Sequence, residues 1–373
     1  LGNKSDLENV VTISTLRPYF EGKNVLLTGH TGFKGSWLLQ ILSLCKANIT
    51  GLALAPESPS LYEAISGDDY CNSVIQDIRD ADAVRKVVVD CQPDYIFHLA
   101  AQPLVLASYA NPLYTFETNA MGTAHILEGV RALKKACCVV LITTDKVYEN
   151  LEQGHLFKED DKLGGYDPYS ASKAACEILI SSYKRSFFNP NEYSEHQKAM
   201  VSMRAGNVIG GGDYAPNRII PDIIRAVQQN ESVQLRNPKA VRPWQHVLEP
   251  LAVYLQLAVQ LHDDPTGWKD AYNVGPRITD TRTVEEVTQF ALSHMKRGKY
   301  IIDASAPIRH EAGLLMLSID AVQADLNWHP LWSAEEAIEH TIDWYVDDRE
   351  ASVKCAEQIN LYFQNTINSF TES

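Results

Sequence analysis

The chain has 373 residues, of which 45% are hydrophobic, and carries a formal net charge of −14. That is the composition of a globular protein with a sizeable core, and it excludes a disordered or low-complexity chain. The negative balance argues against non-specific binding to nucleic acid or an anionic membrane. No apolar run reaches membrane-spanning length.

The first eight residues, Leu1 to Glu8, lack the charged and apolar regions of a signal peptide, so a cytoplasmic location is expected. Asn24-Val-Leu-Leu-Thr-Gly-His-Thr-Gly-Phe-Lys-Gly-Ser-Trp-Leu38 reads as strand, tight turn and helix start. Gly29 suits the turn, Gly32 leaves room for a pyrophosphate at backbone N–H groups, and Gly35 lets helix and strand approach. The helix N-terminus then favours an anion. The spacing is Gly-x-x-Gly-x-x-Gly, not the commoner Gly-x-Gly-x-x-Gly, and a glycine triplet alone also arises by chance. Ile49 to Ala55 is a second strand, and Val74-Ile75 runs through Asp77-Ile78 as a third. Ala81 to Cys91 is a helix, Tyr95 to Leu99 a fourth strand, and Pro112 to Lys134 one long amphipathic helix. Cys137 to Ile142 is a fifth strand, with Cys137 and Cys138 as core filling. Ser170 to Phe187 is a helix and Ala199 to Met203 a sixth strand. Strands alternating with helices predict an α/β fold, a Rossmann-like doubly wound parallel sheet whose carboxyl ends carry the chemistry.

Past residue 206 the rhythm breaks. Gly206-Asn-Val-Ile-Gly-Gly-Gly-Asp213 is a glycine-rich loop, and prolines from Pro221 to Pro330, Pro307 among them, punctuate the remainder of the chain. A smaller mixed C-terminal lobe over the mouth of the sheet is expected. Glu249 to Leu261 reads as a helix, Ala271 to Val274 as a strand, and Ser333 to Val346 as a helix with serine near its start. Seven cysteines with no C-x-x-C pair imply free thiols in a reducing compartment, and no metal is expected.

Tyr169-Ser-Ala-Ser-Lys173 opens the helix after the fifth strand. Tyrosine and lysine four apart share one helix face, and an ammonium near a phenol favours the phenolate, so a lowered Tyr169 pKa is expected. Such a tyrosine trades protons with a sugar hydroxyl. Taken alone, the pair also describes a solvated helix face. Its position one strand after Ile142-Thr-Thr-Asp145, in a chain with the glycine loop at strand one, favours the chemical reading.

The glycine loop, Leu99-Ala-Ala101, Thr143-Thr144 and Tyr169-x-x-x-Lys173 together resemble the extended short-chain dehydrogenase/reductases over residues 20–275. Five longer strings resemble the CDP-glucose 4,6-dehydratases among them. These are Gly29-His-Thr-Gly-Phe-Lys-Gly-Ser-Trp37, Ala101-Gln-Pro-Leu-Val105, Thr144-Asp-Lys-Val-Tyr-Glu-Asn150, Ala205-Gly-Asn-Val-Ile-Gly-Gly-Gly-Asp213 and Arg242-Pro-Trp-Gln-His246. The resemblance implies an NAD-dependent enzyme acting on a nucleotide sugar, with Tyr169 as base at the C4 hydroxyl, Thr144 on the C4 oxygen, Asp145 as acid, Lys146 as base at C5, and Lys173 beside the cofactor ribose. Cofactor contacts are expected from Gly29, Thr31, Gly32, Phe33, Gly35, Asp77, Ile78, Leu99, Ala100, Ala101, Asn119, Thr143, Tyr169 and Lys173. Substrate contacts are expected from Gln102, Thr144, Asn207, Arg218, Arg242 and His246.

Two departures stand out. Leu54-Ala55-Pro56 has no acid at the second strand's tip for a ribose 2′-hydroxyl, so NAD over NADP rests on the family, and Lys34 leaves room for NADP. Leu106-Ala107 stands where the family pattern has an arginine. The expected division is an NAD-binding domain over 20–206 with 243–276 returning to it, and a substrate-binding domain from 207–242 and 277–373. The helices over 112–134 and 170–187 suggest a four-helix bundle between two subunits, hence a homodimer or dimer of dimers. The alternatives are a dehydratase or epimerase for a dTDP-, UDP- or GDP-sugar, or a silent NAD-binding regulator.

Overall fold

The computed structural model describes residues 11–151, 154–302 and 315–371. The first eight residues and Pro307 lie outside the described residues.

Seven short, mostly apolar segments form one sheet: β1 (Asn24–Thr28), β2 (Asn48–Ala53), β3 (Asn72–Ile75), β4 (Tyr95–His98), β5 (Cys137–Ile142), β6 (Lys198–Ala205) and β7 (Ala271–Val274). All pairings are parallel, in the order β7-β6-β5-β4-β1-β2-β3. Parallel strands require crossovers, and helices supply them on both faces. Those that position the site are α1 (Phe33–Leu44), α2 (Ala81–Cys91), α3 (Gly122–Ala132), α4 (Pro168–Phe187), α5 (Ile219–Gln228), α6 (Leu248–Asp263) and α7 (Ala334–Val346). Successive side chains of a strand point to opposite faces, which decides which layer each one builds. Val25 and Leu27 of β1, with Cys138, Val140 and Ile142 of β5, join a core with α1 and α6. Leu26, Cys137, Val139 and Leu141 join a second core with α2, α3 and α4.

Several boundaries differ from the sequence reading. The third strand stops at Ile75, so Asp77 and Ile78 lie in the loop beyond it. The long helix is not one cylinder: Pro112–Phe116 is followed by a π-helical turn, Glu117–Met121, before α3 begins at Gly122. It ends at Ala132, because Leu133 turns extended and buries its side chain. The sixth strand runs longer than read, from Lys198 to Ala205.

A third core lies beyond the carboxyl ends of the strands. It packs Ile220, Ile223 and Ile224 of α5 against Val233, Leu235, Val287 and the Ala334, Ala337 and Ile338 face of α7. β4 and β1 are neighbours from which the chain leaves in opposite directions across the sheet. A crevice opens at such a crossover, and the site is built around it.

Candidate active site

The crevice floor is backbone. Gly29 turns the chain at φ +74°, and its N–H donates to the Leu52 carbonyl at 2.8 Å. A Cβ on Gly29 would stand 2.8 Å from the Ala100 nitrogen, and one on Gly35 only 2.0 Å from the Gly29 carbonyl oxygen. β1, β4 and α1 therefore meet at distances only glycine permits. Gly32 is the N-cap of α1 and supplies no side chain to cover the first-turn N–H groups. That leaves donors and a helix dipole facing the crevice. The Thr31 hydroxyl donates to Leu54 O at 3.0 Å, tying the loop to the end of β2. Phe33 is half-buried beside it, and Leu99, Ala100 and Ala101 continue the floor past β4, half-buried. The Ala100 N–H is held by the Thr28 hydroxyl at 3.1 Å.

The crevice wall is α4. Asp167 caps it by accepting from the Ser170 N–H at 2.9 Å, and Pro168 occupies the first turn, so the helix starts one residue before Tyr169. Tyr169 and Lys173 are both buried, and Lys173 Nζ donates to the Ile142 carbonyl at the tip of β5, 3.1 Å away. Asn119, in the π-turn, accepts from Gln102 N at 2.8 Å and donates to Gln102 O at 3.1 Å and to the Ser172 hydroxyl at 2.9 Å. It pins the loop after β4 to α4.

The Thr144–Asp145 pair follows β5. The Thr144 hydroxyl donates to Asp145 Oδ1 at 2.8 Å and shares a hydrogen bond with Tyr169. Asp145 is 3% exposed, and burial raises its carboxyl above the ordinary range against the opposing pull of Lys146, Thr144, Arg242 and Lys34. A raised carboxyl is better suited than an ordinary one to give up a proton as an acid. Lys146 is half-buried next along the turn. Arg242 lies in the field of Asp145, and Arg218 in that of Tyr169. Arg218 is already paired with Asp213 at 2.8 Å. Tyr169, Lys173, Thr144, Asp145, Arg218 and Arg242 are thus brought together.

Some expected residues stand elsewhere or do other work. His246 is fully buried, with Trp37 and Trp332 rings against it and Leu248 N donating to its Nδ1 at 3.3 Å; burial drives its pKa well down. It is a core histidine, and the expected substrate contact is corrected. Gln102 spends its amide on Thr115, 2.9 Å away, and on the Leu104 N–H. Thr143 turns its hydroxyl down to Glu177 and Met203 O. The Asp77 carboxylate is held low by Arg79, and Ile78 is buried against Gly122. Asn207 follows β6, half-buried.

The expected lowering of Tyr169 is also corrected. Burial pushes it up to about 12, and Lys173, turned to a carbonyl, is not among the groups that pull it down. Burial lowers Lys173 in turn, with Cys176 and Glu177 opposing. One further residue joins the site. Lys34, which in the sequence only left room for NADP, holds its ammonium 5.9 Å from the centre of the Tyr254 ring, in the field of Arg218, Lys173 and Asp145. Desolvation, then Arg218 and Lys173, lower it to about 8. A lysine in the first turn of a phosphate-binding helix, where the dipole is unfavourable to it, was the available signal.

Residues 26–341 match the family model described as GDP-mannose 4,6 dehydratase. The chain is 43% identical over 329 residues to a CDP-glucose 4,6-dehydratase of Salmonella typhimurium, covering 88% of this chain and 91% of the relative. It is 26% identical over 348 residues to a dTDP-glucose 4,6-dehydratase of Shigella flexneri, covering 86% and 92%. Among solved structures it is similar to an epimerase from Methanothermobacter thermautotrophicus (TM-score 0.74, 23% identity, 92% of this chain and 97% of that one). It is also similar to a dTDP-glucose 4,6-dehydratase from Bacillus anthracis in complex with NAD (TM-score 0.71, 22% identity, 88% and 98%).

Proposed function

Since the chain belongs to the GDP-mannose 4,6 dehydratase family, we propose from that membership and the site's chemistry that it is a CDP-glucose 4,6-dehydratase. It is an NAD-dependent lyase that turns CDP-glucose into CDP-4-keto-6-deoxyglucose. The observation that carries the reading is a buried Asp145, its carboxyl raised by burial, set between a tyrosine and an ammonium at the sheet crossover, in a chain 43% identical to a CDP-glucose enzyme.

The residues present fit NAD. Gly29 and Gly35 close the floor to any Cβ, and Gly32 leaves the α1 N-terminus uncovered for a diphosphate. Thr31, Phe33 and the Leu99–Ala101 segment would line the same floor, and Lys173 would meet the ribose. Held there, NAD would supply the hydride acceptor for oxidation at C4 and the hydride donor for reduction at C6.

Each residue then has a proton to hold or move. Tyr169 takes the C4 hydroxyl proton, and Thr144 donates a hydrogen bond to the C4 oxygen. Lys146 removes the C5 proton, which the new ketone has acidified. The C6–O bond breaks as the C5=C6 bond forms, and Asp145 delivers its proton to the departing hydroxyl, which leaves as water. After reduction at C6, Lys146 returns a proton to C5. Arg218 and Arg242 bind the substrate diphosphate, since a guanidinium matches phosphate oxygens. Asn207 is the further substrate contact of this reading. An epimerase has no leaving hydroxyl to protonate, so a buried Asp145 with a raised carboxyl supports dehydration.

A cytoplasmic homodimer or dimer of dimers is part of the proposal. All seven cysteines are free thiols, and among the described residues no helix is long and apolar enough to cross a membrane. Leu113, Met121, Ile178 and Phe187 are exposed on the helices that would form the bundle. The test of the function is a panel of CDP-, dTDP-, UDP- and GDP-glucose, read by the alkaline absorbance of a 4-keto sugar. Product from CDP-glucose is expected. Product from another nucleotide sugar but not from CDP-glucose would overturn the nucleotide assignment, and no product from any would favour the silent regulator.

A further inference from the structure

Beneath the site lies a chain of buried polar side chains that the reaction does not itself use. Glu177 stands one turn beyond Lys173 on α4, 4% exposed. It accepts from the Thr143 hydroxyl at the tip of β5, from the Ser202 hydroxyl of β6 at 2.9 Å, and from Arg204 of β6 at 2.8 Å. Arg204, 5% exposed, carries the chain on: it donates to the Tyr148 hydroxyl and to the Glu159 carbonyl, both at 2.8 Å. Tyr148 donates to Asn273 Oδ1 of β7 at 2.6 Å, and the Asn273 N–H is held by the Glu159 carboxylate at 2.9 Å. The Tyr148 ring stacks on Phe157 at 4.9 Å.

The two ends of this chain are the two halves of the site. Glu177 is rooted on the helix that presents Tyr169 and Lys173. Tyr148 immediately follows the single 3-10 turn Asp145–Val147 that presents the acid and the base. A three-residue turn has little rigidity of its own, so its position must come from what holds its exit. Burying an arginine and a glutamate contributes little net stability, because desolvation offsets their attraction; what a hydrogen-bonded pair fixes is geometry.

We propose that Glu177, Arg204 and Tyr148 are positioning residues, a buried splint that holds the Asp145-Lys146 turn in register with the Tyr169/Lys173 helix. None of the three touches the reacting atoms. The splint acts on elimination, which uses the turn, and spares oxidation at C4, which uses the helix. The step-specific part of this claim rests on the dehydratase reading.

The experiment separates the two steps in the full-length enzyme. Tyr148→Phe keeps the ring and removes only the hydroxyl. In single turnovers, C4 oxidation is read by reduced nicotinamide, and elimination by solvent-deuterium uptake at C5 and water loss. The variant is expected to oxidise within about twofold of the wild-type rate and to eliminate about tenfold more slowly, the size expected for a sub-ångström misplacement. A second variant, Glu177→Met with Arg204→Met, removes both charges together, so that neither is left buried alone, and should show the same split. Equal slowing of both steps, or of neither, overturns the proposal, since a merely structural role moves the steps together.

Amide exchange gives a readout that needs no substrate. Exchange over residues 145–150 should quicken in Tyr148→Phe while residues 24–28 stay protected. Unchanged exchange over 145–150 overturns the splint. Wild type inert toward CDP-glucose with quickened exchange in the variant overturns the substrate reading and leaves the splint standing.

Discussion

The glycine floor and the Asp145-Lys146 turn face each other across one crevice and are positioned by different physics. The floor is seven consecutive residues whose backbone presses against backbone, with no side chain between Gly35 and the Gly29 carbonyl. The turn is three residues held through side chains from α4, β6 and β7, far apart in sequence. The first arrangement is set by sterics and tolerates no Cβ at Gly29 or Gly35. The second is set by directed hydrogen bonds and tolerates atoms but not lost partners. Substitutions in the floor should therefore cost stability, and substitutions around the turn and the α4 wall should cost rate.

The largest effect belongs to the reactive wall. Tyr169→Phe should slow C4 oxidation by about 10²- to 10⁴-fold, the usual worth of a positioned acid–base group. Its melting temperature should stay near wild type, and oxidation surviving at the wild-type rate would remove Tyr169 from the chemistry. Next comes the floor. Gly35→Ala places a Cβ 2.0 Å from backbone that cannot yield, and should destabilise by about 3 kcal/mol or more in urea unfolding. Gly32→Ala, whose Cβ would stand 3.3 Å from the Gly29 oxygen, should stay within about 1 kcal/mol of wild type while NAD titration shows weaker binding. If the two variants unfolded alike, the steric account of the floor would be wrong.

Buried hydrogen bonding also has a pH signature, and Glu249 sharpens the comparison. Its fully buried carboxyl accepts from Leu331 N, Trp332 N and the Tyr362 hydroxyl, and burial lifts it from 4.5 to about 7. As pH rises past 4.5 the unfolded chain sheds this proton, while the folded chain keeps it to about 7. Stability is therefore full below the unfolded value and falls as pH rises through this window. Relative to Glu249→Gln, wild type should lose on the order of 3 kcal/mol between about pH 4.5 and 7.5. A pH-independent difference between the two proteins would refute the raised carboxyl.

The smallest effect is at the half-exposed rim. Arg218→Ala should raise KM for the nucleotide sugar by about tenfold to a hundredfold, the range for hydrogen bonds to a charged group, with kcat little changed. A fall in kcat at constant KM would place Arg218 in the chemistry instead.

The same contrast explains what could be read in the sequence. The floor was legible because glycines three apart after an apolar run encode both turn and close approach within one window. β5 and β7 appeared at their observed residues, because short apolar runs bounded by polar or turn residues have few alternatives. The π-turn at Glu117–Met121 left no local sign, since it answers to Asn119 reaching Gln102 and Ser172. His246 was misjudged because adjacency to Arg242 in a motif says nothing about which side of a strand faces the cleft. Tyr169's direction was misjudged because ammonium attraction was weighed without the burial that outweighs it. The splint joins residues far apart along the chain. Its one sequence trace is an arginine next to the end of a wholly buried β6, which demands a buried acid without naming it.

The most direct test of the central claim follows a single deuterium. CDP-glucose labelled at C4 should give a 4-keto-6-deoxy product that carries the label at C6 of the same molecule and a solvent proton at C5. Label returned to C4, or product formed with the label lost to solvent, would contradict the account.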